Sequence, residues 1–179
     1  MQCAAVLRIP IKKGPRPVIG YLDSEEVAAI LRQPNRSTLE GHRDHALLAL
    51  LYNTGARIQE ALSLCPSGIR FTPPHVKLFG MGRKERICPV GPETAKLLAA
   101  LLKRQPRADS EPLFVNLYGG PLGAAGVRFK LVHYVQTAAK GLPSLQKKHV
   151  SPQRSGTQAA FKWSPPESIS RSSAASSGT

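Results

Sequence analysis

The chain is short of aromatics, cysteines and acidic residues, and each shortage narrows what it does. Aromatic side chains fill only 6% of its 179 positions, which counts against the stacking platforms that read RNA bases. Three cysteines, Cys3, Cys65 and Cys88, are odd in number and far apart. They give neither a disulfide framework nor a zinc spacing, and a reducing cytoplasm is the expected compartment. The densest apolar run, residues 46–51, is far shorter than the roughly 20 residues a membrane-spanning helix needs. The opening MQCAAVL is too short to read as a secretion signal. No membrane partner is expected.

Acidic residues number 11 against 25 lysines and arginines, a formal charge of +14. Such an excess suits a polyanion, most often nucleic acid, although ribosomal and membrane-surface proteins share it. The basic residues are spread along the chain, which favours a folded groove over a charged arm. The length allows one domain with a modest core.

What the chain does have is centred on residues 47–64, LLALLYNTGARIQEALSL. The apolar run breaks at Asn53-Thr54-Gly55 and restarts with Ile58, Ala61, Leu62 and Leu64 at helical spacing. Thr54 is the expected cap of that second helix, which puts Arg57 in its first turn. There the helix dipole and free backbone N–H groups favour an anion, and a guanidinium can grip a phosphate with two parallel bonds. The competing local reading pairs Arg57 with Glu60 one turn on, worth about 0.2–0.5 kcal/mol. Local sequence alone ranks that pairing first.

The remaining chain reads as mainly α with a small antiparallel β hairpin or sheet. Residues 1–20 interleave Arg8, Lys12, Lys13 and Arg16 with prolines and read as an extended basic linker. A helix over 22–31, capped by Asp23 or Ser24, stops at Pro34-Asn35, and a second, mostly buried helix follows over 41–52. Residues 75–79 and 86–90 are strand-like and flank a glycine-bearing turn that carries Arg83 and Lys84. Arg83, Lys84 and Arg86 are candidate backbone-phosphate contacts, with a solvated basic turn as the alternative. Helices are predicted over 93–104 and 124–139, the latter with Val127, Leu131, Tyr134, Val135 and Ala138 on a core face and Arg128 and Lys130 opposite. His42 and His45 are three apart but have no partner at ligand spacing, so no metal or other cofactor is expected.

Asp44, His45, Ala46, Leu47, Leu48, then YNTGAR over 52–57, then Glu60 and Leu62, are very similar to the first conserved box of the tyrosine recombinases, the phage integrase family. The wider run 17–90 resembles integrases carried by insertion elements. The resemblance implies a partial recombinase catalytic domain over 21–152, with Arg57 as the first catalytic arginine. It also implies duplex DNA as partner, together with other recombinase protomers, and no small-molecule substrate.

The chain departs from that family at several places. The family's hairpin carries a lysine where Met81 stands, and a thioether cannot protonate a departing 5′ oxygen. Lys84 is displaced along the turn. Residues 147–152, KKHVSP, match the approach to the second box, but no His-x-x-Arg follows. His149 precedes the motif and Arg154 has the wrong offset. Residues 153–179 hold no leucine, valine or tyrosine, so this tail is expected to be disordered and lacks the family's nucleophile. Tyr134 comes too early to serve. Codons for residues 162–168, read one base later, can encode Asn-Gly-Val-His-Leu-Asn-Leu, which resembles the family's helix there and suggests a frameshift after Pro152. The expected function is thus DNA binding by a recombinase remnant that cannot cleave. A non-catalytic module that interferes with an intact recombinase and a basic RNA-binding protein are the alternatives. Loss of the last helices is expected to leave helices 41–52 and 124–139 short of packing and an apolar patch exposed.

Overall fold

The computed structural model describes residues 22–80 and 84–146. Lys12 and Lys13 in the expected linker, Met81 and Arg83 at the hairpin tip, and the tail 153–179 lie outside the described residues.

Helix α1, Ser24–Leu31, begins at the N-cap residue Asp23, whose N–H donates to the Glu26 carboxylate at 2.8 Å. Helix α2, Leu39–Thr54, starts two residues before the sequence boundary because Thr38 caps it, its hydroxyl oxygen accepting from the Gly41 N–H at 3.0 Å. Residues 41–51 are all buried, so the helix is covered on every side, and the expected loss of its packing is not found. Gly55, at φ 60°, ends it in the left-handed conformation.

Thr54 does not cap the next helix. It is the last residue of α2, and its hydroxyl donates to the Leu50 carbonyl at 2.7 Å, the bond back along the helix that serine and threonine favour. The N-cap of α3, Ile58–Leu62, is Arg57 itself.

The expected hairpin is two strands of a three-stranded antiparallel sheet in the order β1 (Ile69–Phe71), β2 (Pro74–Phe79), β3 (Glu85–Pro89). Val76 pairs with Cys88 and Leu78 with Arg86. The alternation of side chains along a strand sends Val76, Leu78 and Cys88 into the core and leaves Ile87 61% exposed on the opposite face. Helix α4, Pro92–Arg104, and helix α5, Ala124–Ala139, occupy the stretches their periodicity predicts, and α6, Pro143–Gln146, follows.

Two apolar clusters result, and α2 supplies both. Leu47, Leu50 and Leu51 join the sheet, α3 and α4, while Leu48 turns to Ile30, Leu131 and Val135. Against the expectation, Tyr134 and Lys130 of α5 act together. The Tyr134 hydroxyl donates to Asp44 at 2.8 Å and the Lys130 ammonium lies 2.9 Å from the same carboxylate oxygen. Arg43 takes the other oxygen and also donates to the Val115 carbonyl at 2.6 Å. Among the described residues no helix is long and apolar enough to cross a membrane.

Candidate nucleic-acid interface

The chain reversal at Gly55 carries Arg57 out of the core at the junction of α2 and α3, where its side chain is 41% exposed. Three residues on, Glu60 is buried, and its carboxylate organises the surroundings. It accepts the Arg57 backbone N–H at 3.2 Å, which closes the first turn of α3. It accepts Arg86 Nη2 from strand β3 at 2.7 Å. The Arg57 Nη1 stands 3.7 Å from Oε1, within ion-pair range and beyond a hydrogen bond. The expected Arg57–Glu60 pair therefore exists as a loose contact, and the strong partner of Glu60 is Arg86.

The base of the hairpin closes over this carboxylate. The Gly80 N–H donates to the Lys84 carbonyl at 2.9 Å, and a Cβ built on Gly80 would lie 3.6 Å from Glu60 Oε1. The Lys84 side chain is exposed, while Lys77 and Glu85 pair across β2 and β3 at 2.9 Å. Behind Arg57, the Asn53 side-chain oxygen accepts the Gly91 N–H at 2.7 Å and ties the end of α2 to the start of α4. The fold thus gathers Arg57, Lys84 and Arg86 at one place and engages Arg86 internally. The sequence reading missed the Glu60–Arg86 bond. Strand alternation could have found it, since Arg86 falls on the same side as the buried Cys88.

The two histidines serve the fold. His45 Nδ1–H donates to the Leu31 carbonyl at 2.7 Å. Burial, the larger cause, holds both imidazoles below their usual pKa, with Arg104 and Arg36 adding to the effect at His42. Burial, then the hydrogen bond to Asp44, pushes the Tyr134 phenol well above its usual range.

A helical domain whose hairpin base meets an exposed arginine across a buried glutamate is the architecture of recombinase catalytic domains. Crystal structures of XerA recombinase and of XerH site-specific recombinase bound to palindromic difH substrate share it. Their TM-scores are 0.57 and 0.58, at 21% and 22% identity, over 66% and 68% of this chain and 43% and 36% of theirs. The sequence signature of the Phage integrase family matches residues 20–152, and the chain belongs to that family. The integrase/recombinase-class protein y4rC of Sinorhizobium fredii is 38% identical over 154 residues, 86% of this chain and 46% of that protein. A tyrosine recombinase XerD of Staphylococcus saprophyticus is 32% identical over 124 residues, 66% of this chain and 42% of that protein. The chain spans about half the length, or less, of these relatives.

Proposed function

We propose that this domain binds duplex DNA by its backbone, with Arg57 gripping a phosphodiester in the manner of a recombinase's first catalytic arginine. The observation that carries the reading is the state of the guanidinium: 41% exposed, beside the hairpin base, with its nearest carboxylate already bonded to Arg86. An arginine in that state can form a two-pronged contact to phosphate with little rearrangement. The surplus of 14 positive charges adds a sequence-tolerant attraction.

As a chain of these 179 residues, the protein binds DNA without cutting it. Residues 153–179 contain no tyrosine to form a phosphotyrosyl bond. Met81 in place of the hairpin lysine offers no acid to the leaving oxygen. The alternative of structured RNA as the ligand is excluded if duplex DNA competes more strongly for the same surface.

The test measures binding to a labelled mixed-sequence duplex at several salt concentrations. Arg57→Ala is expected to weaken binding and to lower the slope of log K against log salt by about 0.9, the contribution of one phosphate. An unchanged slope and affinity would overturn the assignment of Arg57. A suicide DNA substrate checks the chemistry, and a covalent protein–DNA adduct would show that the chain does cleave.

A further inference from the structure

We propose that Arg86 is a positioning residue for Arg57: by holding the buried Glu60 carboxylate, it keeps the Arg57 guanidinium free for phosphate. This rests on the phosphate-binding reading of Arg57 and gives the basic hairpin strand a role other than direct DNA contact.

The argument begins with the glutamate. Its side chain is only 9% exposed, and a carboxylate withdrawn from water is costly unless charged or hydrogen-bonding partners surround it. Among the described residues, two guanidinium groups approach it. Arg86 is bonded to Oε2 at 2.7 Å, the length of a charge-assisted hydrogen bond, and the Arg57 N–H shares that oxygen at 3.2 Å. Oε1 has only the Arg57 Nη1 at 3.7 Å, too far for a hydrogen bond. Two cations thus share one acceptor, and the one from β3 holds it.

Removal of Arg86 reverses the outcome. The buried carboxylate then lacks its strong partner, and the cation within reach is Arg57, anchored three residues away on the same turn. Rotation of its side chain through little more than the present gap would give a paired contact to Glu60. An arginine so engaged is withdrawn from DNA. The strand geometry supports this division of labour. Arg86 lies in register with the buried Leu78 and on the side of Cys88, so its side chain is directed toward α3.

The experiment uses the full chain, a labelled mixed-sequence duplex and a salt series. It compares Arg57→Ala, Arg86→Ala, the pair Arg86→Ala with Glu60→Gln, and the pair Arg57→Ala with Arg86→Ala. Arg86→Ala is expected to lower the salt slope by about 0.9, as Arg57→Ala does, although only one phosphate contact is lost. Adding Glu60→Gln, which removes the competing charge, is expected to restore slope and affinity. Adding Arg57→Ala is expected to cost nothing more.

A loss that Glu60→Gln does not restore, or that adds to the loss from Arg57→Ala, means that Arg86 touches DNA itself, and the proposal fails. Unchanged binding by Arg86→Ala overturns it too. If Arg57→Ala alone changes nothing, the phosphate assignment fails and takes this proposal with it, an outcome distinct from failure of rescue. Circular dichroism confirms that each variant folds. Should Arg86→Ala not fold, Arg86→Met keeps the apolar stem and carries the same comparison.

Discussion

Asp44 shows how much one side chain can decide. It is 4% exposed, and both its oxygens are occupied, one by Arg43 and the other by Lys130 and Tyr134. Removing the carboxylate strands two cations in the interior. Asp44→Ala is expected to cost about 3–5 kcal/mol, while Tyr134→Phe, which removes only a hydrogen bond, costs about 1 kcal/mol. Urea unfolding of both variants checks the contrast, and equal losses would contradict it. In the sequence, Asp44 was visible only as one letter of a family box. Tyr134 was placed on the core face by helical spacing, and its side chain is half-buried there. Its hydroxyl partner lies 90 residues away, beyond any local pattern.

At the scale of elements, α2 is held at each end by a glycine, and the two glycines do different work. At Gly55 a Cβ would meet nothing within 4 Å, so the difficulty is the backbone itself, at φ 60°. Gly55→Ala should cost about 1–2 kcal/mol, the usual penalty for a side chain in the left-handed region. At Gly41 a Cβ would fall 2.0 Å from the Asn35 carbonyl oxygen. That carbonyl also accepts from the Thr38 N–H and hydroxyl, so the turn preceding α2 cannot yield cheaply. Gly41→Ala is therefore expected to destabilise more than Gly55→Ala, as thermal melts of the two variants would show.

The sequence located α1, α2, α4 and α5 well because their caps and periodicity lie within a few residues of one another. It misplaced the role of Thr54, since whether that hydroxyl caps forward or bonds backward depends on where Gly55 turns the chain. Strand β1 was missed altogether. Three residues among prolines carry too little pattern, and its partner strand supplies the order.

For the molecule as a whole, buried titratable groups bound the pH range of stability. His42 and His45 have pKa values lowered chiefly by burial, so folding is favoured while they stay neutral. Their contribution is fully present above the unfolded value of about 6.5 and is lost as pH falls through the lower folded values. The Tyr134 phenol is shifted the other way. Its contribution is fully present below the unfolded value of about 10 and is lost as pH rises toward the folded value. Melting temperature should therefore form a plateau with two falling limbs. His42→Gln should flatten the acid limb between about pH 7 and 5; an unaltered limb would remove His42 from the account.

Apolar surface also belongs to this scale. Phe129 on α5 is 77% exposed and Tyr118, in the preceding loop, 95%, while α2 is buried over residues 41–51. The expected exposed surface is thus found on α5 and absent from α2.

By itself the sequence determined the helices, the hairpin strands, the basic character and, through the box around Arg57, the family to which the chain belongs. Those properties are written in neighbouring residues: period, caps, turn formers and a contiguous motif. Only the tertiary structure decided which cation Glu60 holds, 26 residues away, and which groups converge on Asp44 from 86 and 90 residues away. A charge in a sequence has many possible partners, and the burial that makes one of them matter exists only after the chain has packed.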